Sequence, residues 1–259
     1  MPFRNLSPWF GMILISLLTG LMMLLIFRFA SNQEGIRKVK DKIKAHLLEL
    51  RLFKDSLRLT LKAQGKILRY NLKYLSYSVK PLLIMIIPLV LILFQLNLWF
   101  GYQSLKTGEE TILKVKLKEY QNPLDFDIAI EASQALIIDT PPLRIEDENE
   151  INWRLKAREK GLHILNFEIN DQKFTKKVSV AQRSFTKISP LKVSRNFIDE
   201  MYNPGEAPLP GALPVKAVEV MYPSKNMDLF GWRIHWLIVY FALSIIFGFV
   251  LKGIFRVEI

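Results

Sequence analysis

Polar and apolar positions divide the chain into alternating stretches. Three runs are apolar and long enough to cross a bilayer: residues 8–30 (PWFGMILISLLTGLMMLLIFRFA), 82–102 (LLIMIIPLVLILFQLNLWFGY) and 232–251 (WRIHWLIVYFALSIIFGFVL). Between the first two, residues 34–79 repeat apolar side chains with helical spacing. Ile36, Val39, Ile43, Leu47 and Leu50 form one series, and Leu57, Leu61, Leu68, Leu72 and Leu75 the next. Lys54 and Gln64 interrupt a heptad, so two helices folded together are predicted, with a turn near Phe53 to Ser56 and Asp55 as N-cap of the second. The two helices are expected to bury the stripe against each other; the alternative is a stripe laid on the membrane surface or on a partner. Pro81 suits the first turn of the second span, and Pro88 is expected to kink it.

Residues 103–182 change period. Short alternating runs such as TILKVKLKEY, LDFDIAIEA, INWRLKAR and KFTKKVSVAQ are separated by turn material at Asn122-Pro123, Asp139 to Pro142 and Lys160-Gly161. Six or so strands in that length predict a small antiparallel sandwich with Trp153 in its core. The stretch GLHILNFEINDQKFTKKVSV resembles the final hairpin of immunoglobulin-like domains in bacterial surface proteins. Residues 183–228 hold six prolines and read as an ordered connector, with FIDEMY as a turn or two of helix. The predicted fold is therefore a membrane α-helical protein of three spans and a cytoplasmic helical hairpin, with an inserted extracytoplasmic all-β sandwich.

Charge orients this arrangement. Residues 28–80 hold fourteen Lys and Arg against four acids, a net +10 of the chain's +12, whereas residues 103–228 hold eighteen basic and nineteen acidic residues, a net −1. Cytoplasmic loops carry the excess of Lys and Arg, so the N-terminus is expected outside, the hairpin and C-terminus inside, and the β domain periplasmic or extracellular in a prokaryotic inner membrane. A cleaved signal peptide would have a shorter apolar core and small residues before the cut; here Arg28 and Phe29 precede Ala30, so the first run is expected to stay as a span. Lys252 and Arg256 follow the third span on the same inner side, and only Arg4 precedes the first.

Candidate chemistry is sparse. Cysteine is absent, which excludes disulfides and thiolate chemistry, and His46, His163 and His235 are too scattered for a zinc motif. No P-loop, GxSxG or dinucleotide fingerprint occurs, so neither enzymatic activity nor a cofactor or metal is expected. Asp125 with Asp127, and the acids from Glu146 to Glu150, read as exposed turns. The polar residues within the apolar runs are Ser16, Thr19, Arg28, Gln95, Asn97 and Ser244; in lipid such groups face other helices or a wet cavity. Tyr70, Tyr74 and Tyr77 are expected to anchor the hairpin at the membrane interface, where amphipathic aromatics collect.

The hairpin at 36–79, running directly through SYSVKPLLIMIIPLVL into the second span, resembles the YidC-type membrane insertase superfamily, specifically its three-span archaeal and endoplasmic-reticulum members. The resemblance covers residues 8–102 and, by topology, 232–251. It implies a groove between the spans that receives a hydrophobic client, with Ser16, Thr19, Arg28, Gln95 and Asn97 as groove candidates. It also implies that the basic hairpin residues recruit nascent membrane proteins or ribosomes or touch anionic lipid: Arg37, Lys38, Lys40, Lys42, Lys44, Arg51, Lys54, Arg58, Lys62, Lys66, Arg69 and Lys73. The chain departs from the family in its roughly 125-residue outer insertion and in the position of Arg28 near the edge of its span. The competing expectation is a structural membrane protein whose outer domain binds an envelope partner, or one that works with a partner membrane subunit.

Overall fold

The structure is a computed structural model that describes residues 7–182, 186–229, 231–255 and 257–258. Arg4, Arg183 and Arg256 lie outside the described residues. The chain divides into two compact units, one formed by Met1–Gly11 with Leu91–Trp236 and the other by Met12–Val90 with Leu237–Ile259.

The helical unit is built on α1 (Pro8–Ala30), α2 (Gln33–Leu52), α3 (Leu57–Phe100) and α5 (Trp236–Leu251). Of these, α1 and α3 are long and apolar enough to cross a membrane, and α5, at 16 residues, is apolar but shorter. Asn32 caps α2, its side chain accepting the Gly35 N–H at 2.8 Å. The turn falls at Phe53 to Ser56 as the spacing predicts, but α3 opens one residue later than an Asp55 cap implies: the Ser56 carbonyl accepts the first backbone bond, from Thr60, at 3.0 Å.

Two expectations about α3 are corrected. Pro81 does not open a new helix; both it and Pro88 lie inside one 44-residue helix that joins the hairpin to the second apolar run. The ring's fixed φ is helical, so the chain continues through it at the loss of one backbone bond. The α2 end of the apolar stripe is buried, at Ile36 and Val39, but its leucines on α3 are not the seam between α2 and α3. That seam is aromatic and small: His46 stacks on Tyr70 at 5.5 Å, Ala63 is buried, and Gly35 lies so close to Tyr77 that a Cβ there would stand 3.0 Å from the ring. Tyr70, Tyr74 and Tyr77 are each partly buried. Leu57, Leu61, Leu68, Leu72 and Leu75 are 55–75% exposed.

The β domain contains two antiparallel sheets packed over one core. One has the order β3 (Leu136–Ile138), β5 (Glu150–Ala157), β1 (Glu110–Leu117), β9 (Val215–Val220), β8 (Leu191–Val193), with β4 (Leu143–Ile145) also on β5. The other has the order β2 (Ala129–Glu131), β6 (Gly161–Ile169), β7 (Gln172–Val180). A third pairing joins β10 (Asn226–Leu229) to β11 (Trp232–His235). Alternation drives this: in β1 every second residue from Thr111 to Leu117 points inward. Trp153 of β5 is buried in the core with Leu113, Val115, Phe167 and Val218. The β6–β7 hairpin closes through Asn170 and Asp171, both with positive φ, as a two-residue hairpin turn requires.

The sandwich does not end at residue 182. β9, from the stretch read as connector, pairs with β1 on one side and β8 on the other, so that stretch completes the larger sheet. FIDEMY forms α4 (Phe197–Tyr202), capped by Asn196. The third apolar run is also shorter as helix than expected, because Trp232–His235 pair as β11 before α5 begins.

Tyr222, packed against the core, accepts the Ser179 N–H at 2.9 Å through its hydroxyl. Tyr222→Phe strands that N–H and is expected to cost about 1–3 kcal/mol. Burial pushes the Tyr222 hydroxyl well above its ordinary value of 10.0. The unfolded chain ionises first, so this contribution is intact below about pH 10 and is lost as pH rises further. Denaturant titrations of both proteins at about pH 8 and about pH 11 check this: the phenylalanine variant lacks the tyrosine-linked loss.

Candidate functional site

α1 and α5 approach closely at small residues. A Cβ on Gly20 would lie 2.9 Å from the Ser244 carbonyl oxygen, 3.3 Å from Phe247 Cβ and 3.4 Å from the Gly248 nitrogen. Small residues at helix crossings let backbones approach in this way. Beside this crossing is a cavity of about 290 Å³ lined by α1, α3 and α5, including Thr19, Met23, Phe27, Met85, Leu89, Tyr240 and Phe249. Its wall is almost wholly apolar, interrupted by the hydroxyls of Thr19, Tyr240 and Ser244.

Those hydroxyls belong to a buried cluster. Ser16, one turn before Thr19, is fully buried, as is Tyr240, and Thr19 and Ser244 are 3% and 7% exposed. Ser16 Oγ has no hydrogen-bond partner among the described residues, whereas the Tyr240 hydroxyl faces those of Thr19 and Ser244 within the cluster. Buried polar atoms are normally paired, and an unpaired one is costly. A cavity with so apolar a wall can take an apolar segment along it.

The five groove candidates separate. Thr19 lines the cavity and Ser16 is buried just along α1. Arg28 is exposed, its guanidinium 5.8 Å from the Phe29 ring centre, and does not line the cavity. Gln95 and Asn97 belong to the other unit. Gln95 is exposed there, and Asn97 packs under Gly101, whose N–H donates to the Asn97 carbonyl at 2.8 Å. Sequence reasoning missed Gly20, Met85 and Tyr240. Tyr240 reads as an interfacial aromatic beside Trp232 and Trp236, but it is inside the cluster; Gly20 offered the one signal, a glycine within an apolar run.

Ten of the twelve basic hairpin residues are exposed. The other two are partly buried beside carboxylates: Lys40 lies 3.5 Å from Glu258 and Lys66 lies 3.8 Å from Glu49. The C-terminal tail also docks on the hairpin base, where the Glu258 N–H donates to the Gln33 side-chain oxygen at 2.7 Å. Among the described residues, no three His, Asp or Glu side chains gather as metal ligands would.

No protein-family model matches the chain, and no curated protein matches it. Among solved structures, domains 4 and 5 of the S-layer protein SbsC are similar at a TM-score of 0.24 and 15% identity, over 30% of this chain and 46% of that one. Domains 5–6 of the same protein are similar at 0.24 and 10%, over 36% and 49%. The chain thus spans less than half the length of either structure.

Proposed function

We propose that this chain is a three-span membrane protein of the YidC type, an insertase or membrane chaperone that holds a hydrophobic client segment between α1, α3 and α5. It carries out no covalent chemistry. The N-terminus is outside, the α2–α3 hairpin and C-terminus are cytoplasmic, and the β domain, of immunoglobulin-like character, faces the periplasm or exterior of a prokaryotic inner membrane. The observation that carries the reading is the apolar cavity between α1, α3 and α5, whose lining includes Thr19, Tyr240 and Ser244. A client's apolar segment gains burial along the wall, and its short polar flank finds the few hydroxyls of an otherwise apolar site beside it.

The length of α5 supports the same mechanism. Sixteen residues span about 24 Å at 1.5 Å per residue, less than the roughly 30 Å hydrocarbon core. A short span thins the bilayer around it and so shortens the apolar distance a polar tail must cross.

Site-specific photocrosslinking in living cells tests this, with probes at Thr19 and Met85 on the cavity wall and at the exposed Leu83 as a lipid-side control. Ribosome-bound nascent membrane proteins are expected at the first two positions and not at Leu83. Adducts only to lipid, or to one fixed partner chain, would replace the insertase by a structural membrane protein acting through its outer domain.

A further inference from the structure

The exposed face of α3 carries a repeat that the helix pairing does not use. Apolar and cationic residues occur as adjacent pairs: Leu57-Arg58, Leu61-Lys62, Leu68-Arg69, Leu72-Lys73 and Val79-Lys80. The first two pairs recur eleven residues later, and the third recurs eleven residues on at Val79-Lys80. An eleven-residue period is close to three helical turns, so the pairs form two parallel rows: an apolar stripe and, beside it, a ridge of cations. Leu57, Leu61, Leu68 and Leu72 are 58–75% exposed, and all five cations are exposed. At 100° per residue the stripe lies about 170° round the helix from the side where Ala63, Tyr70 and Tyr77 meet α2. The hairpin therefore cannot cover it.

We infer that this face docks an amphipathic helix from another protein, one with an apolar stripe and carboxylates along one edge at matching intervals. The rows run over 22 residues, about 33 Å, which is the length of a helix laid alongside. Opposing carboxylates complement the cation ridge and set the register. Anionic lipid is the poorer occupant. α3 continues unbroken into its apolar half, and on the membrane reading proposed above a helix entering the bilayer end-on cannot lay this side on the surface. A second copy is poorer still, since it would bring together two segments that each carry a net +10.

The chain has no cysteine, so Leu68→Cys in the full-length protein in nanodiscs accepts a single environment-sensitive fluorophore. The probe is a 22-residue designed helix with leucines at offsets 0, 4, 11 and 15, copied from positions 57, 61, 68 and 72, and glutamate after each leucine. A control carries lysines instead. The glutamate helix is expected to blue-shift the fluorophore and to bind at least about tenfold more tightly than the control. Reversing the ridge with Lys62→Glu, Arg69→Glu and Lys73→Glu is expected to invert that preference. Equal binding of both helices, binding of neither, or a preference that survives the reversal overturns the inference. So does quenching of the free protein by brominated lipid, which names lipid as occupant, or Leu68→Cys disulfide formation between copies, which names a second copy. Client crosslinking at Thr19 is a separate readout, so the groove and this face stand or fall independently.

Discussion

Glu206→Ala lowers the stability of the β domain by about 3–5 kcal/mol, the cost of leaving a buried charge without its partner. Lys176 occupies a core-facing position of β7, in line with Phe174, Val178 and Val180, and is fully buried. Its ammonium donates to the Ser189 carbonyl at 2.7 Å and pairs with Glu206, whose other oxygen accepts the Lys177 N–H at 3.1 Å. Burial holds the Lys176 pKa below its ordinary value, with Glu206 opposing that shift. Removing Glu206 leaves the desolvation, added to by the Lys192 charge and countered only by Glu219 and the Ser189 carbonyl. The pair is not itself a large net gain: Lys176→Met with Glu206→Leu is expected to be within about 1 kcal/mol of the parent or more stable, because it removes both desolvation costs. Hydrogen exchange of the β6–β7 amides in the full chain across a denaturant series measures both. Equal behaviour of the single and double variants would mean that Glu206 acts by shape and not by charge.

Gly20→Leu is expected to separate α1 from α5 and, on the insertase proposal, to abolish client crosslinking in the groove. A single added carbon at this position already meets the Ser244 carbonyl oxygen at 2.9 Å, and that oxygen is backbone, so it moves only if α5 moves. Leucine adds three more carbons in the same direction. The expected cost is about 3 kcal/mol, the upper end for forcing volume into a packed site. Gly20→Ala is milder and ranks between the two. The control is Gly65→Ala: nothing lies within 4 Å of its added carbon, so it gains about 0.5–1 kcal/mol of helix preference instead. Thermal unfolding in detergent, read with photocrosslinking at Thr19, checks the series. A leucine variant that melts with the parent and still captures clients would show that the α1–α5 crossing does not shape the groove.

The legible parts of this protein were those with a local physical cause. Apolar run length marks α1, the C-terminal half of α3 and α5, because each backbone polar group in such a run is satisfied within its own helix. Alternation marks β1, β5, β6 and β7. Thr19 and Ser16 are legible as polar residues in an apolar run.

What the sequence alone determined, then, was where the long apolar helices and the strongly alternating strands lie, where the positive charge lies and that little polar chemistry exists in the apolar helices. Tertiary structure decided which faces meet. The α2–α3 seam chose His46, Ala63 and the tyrosines over the leucines, because Gly35 and Ala63 allow a close approach that rows of leucine do not. β9 entered the larger sheet from a proline-rich stretch with no long alternation, and it did so by pairing with a strand about a hundred residues earlier. Lys176 reads as an exposed residue in KFTKKVSV until Glu206, thirty positions on, makes its burial tolerable. Tyr240 became part of a hydroxyl cluster through helices that only the folded chain brings together. Periodicity reports which side of an element is apolar; what covers that side is set by contacts distant in sequence, and those depend on shape and charge at both ends of the contact.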